Sequence, residues 1–334
     1  MRIDDIAPED VSRNWPVSLP SRVQRTERGT NNRSFIVDCD GSTYFLKHYD
    51  NQPDPARCLF EHRITAAIAA QDPPFAVPET ILSRSGETHI LLGDRNAALF
   101  TFIPGSAARY GDRDDAAGCG RALADLHAAL AEVDLGPPDA GPRTFGDLAT
   151  VHPLVPDPEG AIRDTINDEV LVKAATASMS STQSRWQAVT SGWPLTWSHG
   201  DFYPTNVLQQ SHRVTGIVDF EFAGAGYRAM DVAIGLYAFA IERADMELLV
   251  DCFAGGYLSR MNLSPGEIEA VPTMILMREA TSLTHWTGRY RQGLTNAAGI
   301  GERARQFIGL ARFLDRNGAD LVKRLHEIGS RPRQ

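Results

Sequence analysis

Between Trp197 and Ala233 the chain reads WSHGDFYPTNVLQQSHRVTGIVDFEFAGAGYRAMDVA, and this stretch restricts the folding more than any other. His199-Gly200-Asp201 is followed, after four residues, by Asn206. Twelve more residues lead to Asp219-Phe220-Glu221. Val207-Leu208 is a short apolar strand, Gln209 to Arg213 is polar and turn-forming, and Val214 to Val218 is a second strand rich in β-branched residues. A hairpin of that length folds Asp219 back beside Asn206, within reach of one ion.

Phosphoryl transfer needs such a set. One carboxylate orients the attacking hydroxyl and accepts its proton, while a carboxamide and a second carboxylate hold Mg²⁺ against nucleotide phosphates. An H-G-D triplet alone is often a structural pair, and an Asp among aromatics often only ends a strand. The joint spacing is far more specific. Protein kinases carry H-R-D-x-x-x-x-N and then D-F-G; here Gly200 replaces the Arg and Glu221 the last Gly. The stretch resembles the aminoglycoside phosphotransferase and choline kinase superfamily, whose loop reads H-G-D-x-x-x-x-N followed by D-[WF]-E. The resemblance implies an α+β, bilobal, protein-kinase-like fold. An N-terminal antiparallel sheet lobe with one helix would cover 1–102, and a larger, mostly helical lobe 103–334. It further implies ATP as donor, Asp201 as the catalytic base, Asn206 and Asp219 as Mg²⁺ ligands, and Glu221 as an auxiliary ligand.

A chain of 334 residues is long enough for two such cores. The net charge of −9 argues against general nucleic-acid binding. From residue 270 onward, eleven Arg/Lys against five Asp/Glu make +6, leaving −15 elsewhere. A solvated helical face accounts for most of that excess. The opening MRIDDIAPED is acidic and lacks the apolar core of a signal peptide. The longest central apolar run, Val232 to Ile241, is about half a membrane span. Four scattered cysteines without C-x-x-C fit a reducing compartment and no zinc site. The expectation is a cytoplasmic monomer or homodimer acting on a small-molecule hydroxyl acceptor, without nucleic acid or membrane.

Val23 to Glu27, Arg33 to Cys39 and Thr43 to Lys47 alternate with period two around short turns and predict an antiparallel sheet. In the superfamily the first hairpin loop, here Gly29 to Ser34, covers the nucleotide phosphates. It holds one Gly, so Asn31 and Ser34 would help bind them. A lone strand lysine is ordinarily solvated. The resemblance instead makes Lys47 the phosphate anchor, with Glu61 of a helix over Arg57 to Ala70 as its partner. Ala97 to Ile103 predicts a buried strand ending at Pro104-Gly105. The resemblance makes that end the hinge, with backbone groups near Thr101 and Ile103 at the adenine.

Beyond it the pattern turns helical. Asp114-Asp115 predicts a cap for a helix to about Ala131, with Cys119, Leu123, Leu126 and Leu130 inward and His127 a hydrogen-bonded core residue. Residues 134–160 hold six prolines and predict a long loop, equally a linker or a substrate-touching lid. Ile162 to Val189 predicts one helix, Trp193 to Trp197 a strand, and Met230 onward a helix. Further helices are expected over about 245–260, 265–290 and 300–328. Asp231 fits the superfamily's x-D-[LV]-A, a brace for the catalytic loop. His285, Trp286, Arg289, Tyr290 and Arg291 could bind a carboxylate or phosphate, though an exposed helical face is the simpler reading. The Lys47 region, AALFTFIPG and IVDFEFAG look most like type II homoserine kinases, which implies an amino-alcohol or amino-acid hydroxyl. An aminoglycoside or amino-sugar kinase, and a catalytically silent nucleotide or metabolite sensor, stay open. No A-P-E follows Asp219, which disfavours a protein substrate.

Overall fold

In the computed structural model, which describes residues 6–26, 32–50, 55–138, 141–142 and 145–332, the chain opens with a short helix, α1 (Pro8–Asn14), and a strand, β1 (Arg22–Arg25). β2 (Arg33–Cys39) and β3 (Ser42–His48) follow as a hairpin. Its turn residues Asp40 and Gly41 both have positive φ, 44° and 78°, as a two-residue hairpin requires if its twist is to match the strands. Next come α2 (Pro55–Ala69), β4 (Thr80–Ile81), β5 (Ile90–Leu92), β6 (Arg95–Thr101) and β7 (Ser106–Ala107). The antiparallel sheet runs β1-β2-β3-β6-β4, with β5 also on β6. Alternation sends Phe35, Val37, Cys39, Leu46, Ala97 and Leu99 to one face, against Val11 of α1 and Trp15 just after it. Phe45, Ala98 and Phe100 pack on the other with Tyr49 and Cys58. Each fully buried Leu or Phe side chain contributes about 1.5–3 kcal/mol.

α3 (Arg113–Glu132) starts differently from expectation. Asp112 Oδ1 accepts the amides of Asp114 and Asp115 at 3.1 Å each, so Asp112 is the capping residue. Asp115 is instead buried and accepts from the Arg109 amide at 2.9 Å. Cys119, Leu123, Leu126 and Leu130 are buried as their spacing requires. Residues 162–189 do not form one helix. α4 (Pro158–Thr165) ends at Ile166, and Asp168 accepts the amides of Val170 and Leu171 at 3.1 and 3.0 Å to start α5 (Glu169–Thr190). β8 (Thr196–Ser198) is shorter than expected because Pro194 has no N–H for a ladder. β9 (Val207–Gln210) and β10 (Arg213–Ile217) form the predicted hairpin. Val207 is paired with Ile217, and Ser211 and His212 turn at φ 47° and 61°. β11 (Gly224–Gly226) pairs with β8. The chain closes with α6 (Arg228–Phe239), α7 (Met246–Leu258), α8 (Pro265–Arg291) and α9 (Ala297–Gly329). A Ser264/Glu267 capping box starts α8, and Asn296 caps α9.

These elements gather into two units. The first takes the chain through Ala107, with Glu132–Leu135 and Val207–Phe222, and so holds the large sheet, α2 and the small sheet β10-β9-β7. The second takes Ala108–Ala131, Gly136–Asn206 and the chain from Ala223, and is mostly helical. There α3 and α7 cross on two glycines. A Cβ at Gly120 would lie 2.1 Å from the Phe253 carbonyl oxygen, and one at Gly256 2.3 Å from that of Ala117. The α+β class with an antiparallel sheet is as expected. No helix of the described residues is long and apolar enough to cross a membrane.

Candidate active site

The first unit builds its site on β3. Lys47 shares a sheet face with Phe45 and Tyr49, and Ser34 stands opposite it on β2. Far from being solvated, Lys47 is 6 % exposed. Its Nζ lies 3.0 and 3.3 Å from the two Glu61 carboxylate oxygens, 3.2 Å from Asp219 Oδ1 and 3.3 Å from Glu221 Oε2. Burial pulls the ammonium pKa down, but Glu61, then Glu221, Asp219 and Tyr49 outweigh it and hold the pKa well above its ordinary value. Three carboxylates around one ammonium leave a surplus of negative charge that a divalent cation would offset. Asp219 is the accessible one: its side chain is 40 % exposed, against 7 % for Glu61 and 3 % for Glu221. Asp219 also has φ 67°, uncommon outside glycine. A hard cation that prefers oxygen ligands fits this donor set.

Glu221, expected beside the metal, is buried against Lys47. Asn32 donates to its carboxylate, and Arg57 Nη2 donates to its carbonyl oxygen at 2.9 Å. Neither Asn32 nor Arg57 had a distinguishing sequence pattern. Asn31 lies outside the described residues. Of the two hinge candidates, Thr101 commits its N–H to the Glu79 carbonyl oxygen at 2.9 Å. Ile103 is buried and packs over Gly216, where a Cβ would meet its side chain at 2.5 Å.

Behind Lys47 the polar chain continues. The Tyr49 hydroxyl donates to Glu61 Oε2 at 3.0 Å, so His62 Nε2–H donates to the Tyr49 oxygen at 3.1 Å. His62 Nδ1 then accepts from the Thr88 hydroxyl at 2.9 Å. This tautomer is neutral, and burial, then His89 and Lys47, push the His62 pKa down to about 3. The unfolded histidine titrates near 6.5. Between those values the unfolded chain binds the proton and the folded one does not. The stabilisation is complete above pH 6.5 and is lost as pH falls toward 3, by up to about 4–5 kcal/mol. Thermal melts at pH 7 and pH 4 should therefore show a larger loss for the wild type than for His62→Gln; equal losses would remove His62 from this account.

The second unit holds the H-G-D loop. Gly200 has φ 79°, which explains a glycine at that position. Asp231, fully buried, accepts the His199 amide at 2.7 Å and the Gly200 amide at 2.8 Å. His127 holds the same carboxylate at 3.2 Å and the Tyr257 hydroxyl at 2.9 Å. Asp231 is thus the brace the pattern implied, and His127 a hydrogen-bonded core residue. Asn206 Nδ2 donates to the Asp201 carbonyl oxygen at 2.9 Å and to Asp201 Oδ2 at 3.0 Å. The amide thereby orients Asp201, and its own Oδ1 takes no part in that contact. Arg278 of α8 lies 3.9 Å from Asp201 Oδ1, and its guanidinium is 4.6 Å from the centroid of the Tyr203 ring. No sequence pattern singled out Arg278, because contact between α8 and the loop is a tertiary fact.

The segment from His285 to Arg291 is exposed only at Arg291. Thr287, Gly288 and Arg289 are buried, and His285, Trp286 and Tyr290 are half-buried. His152, from the proline-rich stretch, packs on Gly288, where a Cβ would lie 2.1 Å from its ring. Part of the C-terminal positive charge is accordingly internal.

The model of the phosphotransferase enzyme family matches residues 22–262, which span both the Lys47 cluster and the Asp201 loop. The chain belongs to the phosphotransferase enzyme family. The phosphotransferase is 26 % identical to a homoserine kinase of Xanthobacter autotrophicus over 243 residues, 71 % of each chain. With a homoserine kinase of Parvibaculum lavamentivorans it shares 29 % over 259 residues, 74 % of each. Among solved structures, a microcompartment-associated aminopropanol kinase matches with TM-score 0.72 and 18 % identity, over 97 % of this chain and 98 % of that one. An amicoumacin kinase in complex with AMP-PNP and Ca²⁺ matches with TM-score 0.65 and 12 % identity, over 89 % and 91 %. These likenesses show a shared kinase-like fold, and the family makes this chain a small-molecule phosphotransferase.

Proposed function

We propose that this phosphotransferase moves the γ-phosphoryl group of ATP to the hydroxyl of a short amino alcohol, with homoserine as the leading acceptor. The observation that carries the reading is Lys47, a buried lysine bonded to a helix glutamate and to Asp219. Such a lysine suits the α- and β-phosphates of a nucleotide. Asp201 receives the acceptor hydroxyl and takes its proton. The bond from that oxygen to the γ-phosphorus forms as the bond to the β-bridging oxygen breaks, and ADP leaves. Asn206 and Asp219 would hold Mg²⁺, with Glu221, which also anchors Lys47, as an auxiliary ligand. Bound Mg·ATP supplies the phosphoryl group and neutralises its developing charge. Asn31 and Ser34 belong to the phosphate-covering loop, and the backbone near Thr101 and Ile103 to the adenine end. The homoserine kinases matched over most of their length support the acceptor class. Four free cysteines fit a cytoplasmic protein.

The test is ADP release from Mg·ATP with homoserine, 1-amino-2-propanol, choline, amino sugars and aminoglycosides. Turnover is expected with the short amino alcohols. A protein that Mg·ATP stabilises thermally but that turns over none of these acceptors is a sensor, and the reading fails.

A further inference from the structure

Asp201 has a cationic neighbourhood that the proposed reaction leaves without a task. On α8, Arg278, His285 and Arg289 stand seven and eleven residues apart, within about 40° of one another around the helix. Arg278 faces Asp201 and Tyr203 and pairs with Glu279. Arg303 of α9 stacks 4.0 Å from the centroid of the Trp286 ring, and Arg289 lies 5.0 Å from the same centroid. Burial first, and then this positive potential, keeps a histidine here neutral. The His285 pKa is pushed down to about 4 by burial, then by His152, Arg289, Arg303 and Arg278.

Two groups here lack a partner among the described residues. Arg303 is half-buried, makes its one polar contact with an indole face, and pairs with no carboxylate there. Desolvation lowers its pKa and so does Arg278, against the pull of Glu279. The Tyr203 hydroxyl is buried without a hydrogen-bond partner. Burial raises its pKa, and Arg278 does not offset that, so it stays a protonated donor. A half-buried guanidinium with no paired carboxylate among the described residues and an unsatisfied buried hydroxyl both cost free energy. An anionic oxygen from outside the chain is the partner that suits each of them.

We propose that Arg303 and Arg278, with the Tyr203 hydroxyl, receive a carboxylate of the acceptor, so that the substrate is an amino-acid alcohol rather than a plain amino alcohol. This deepens the phosphotransferase reading and rests on Asp201 being the base that meets the acceptor. Guanidinium groups match a carboxylate with planar, paired hydrogen bonds, and stacking on Trp286 holds the plane of Arg303. The carboxylate is also what separates the two kinds of relative: homoserine carries one and aminopropanol does not.

The experiment compares L-homoserine with L-homoserinol, its carboxyl-free alcohol, in the wild type, Arg303→Lys and Arg303→Met. The wild type is expected to favour homoserine in kcat/KM by about 10²-fold, as two charge-assisted hydrogen bonds allow. Arg303→Met should cut that preference about 10-fold or more, mainly through KM, with Arg303→Lys between. No preference in the wild type, or equal effects on both alcohols, overturns the proposal. If the wild type phosphorylates neither alcohol but turns over another acceptor, the proposal is overturned and the parent reading stands; if it turns over no acceptor at all, the parent reading fails, and calorimetry without nucleotide then decides the carboxylate site. Homoserine binding that weakens in Arg303→Met upholds it, and absence of binding to the wild type overturns it.

Discussion

Asp201→Asn is expected to lower kcat by about 10²–10⁴-fold, the usual contribution of a positioned general base, while leaving Mg·ATP affinity within about threefold. The carboxamide keeps the shape and can still meet Asn206, but it takes no proton from an attacking hydroxyl. The loop should persist, since its backbone is held by Asp231 through the His199 and Gly200 amides and by Asn206 through the Asp201 carbonyl. The Arg278 guanidinium is 3.9 Å away, and both side chains are partly exposed, at 22 % and 26 %. Losing that pair costs about 1 kcal/mol or less. Steady-state kinetics with nucleotide titration reads the outcome; wild-type turnover in this variant would remove Asp201 from the chemistry.

Lys47→Met should damage both stability and nucleotide binding. It strands Glu61, Asp219 and Glu221 around an apolar side chain, two of them buried. Removing one partner of a buried ion pair costs about 3–5 kcal/mol, because the remaining charge is left uncompensated. Affinity for Mg·ATP should fall about 10–100-fold, the value of one or two charge-assisted hydrogen bonds. The double variant Lys47→Met/Glu61→Gln should recover part of the stability but none of the affinity, which separates the structural share of Lys47 from the proposed phosphate contact. Equal melting and equal nucleotide affinity in Lys47→Met and wild type would refute the anchor assignment.

The same residues show where sequence reasoning reaches its limit. Asp168 caps a new helix inside a stretch whose periodicity suggested one. The signal was present as an Asp two residues before Val170, but apolar periodicity outweighed it. Asp112 caps α3 in place of Asp114-Asp115, because acids within one turn compete and only the backbone path decides among them. For Lys47, strand alternation assigned the face but not its burial, since burial depends on α2 covering that face.

Local chemistry set much of this protein before any packing. The D-G turn, the existence of the β9–β10 hairpin and the glycine of the H-G-D loop follow from backbone conformation and short-range hydrogen bonding, which are legible over a few residues. What the tertiary structure alone decided is which distant charges meet. Lys47 faces three carboxylates from two other segments, Arg278 comes to Asp201, and Arg303 reaches Trp286. Such pairings depend on how separate elements pack, and the free energy of a buried charge depends on every neighbour that displaces water from it.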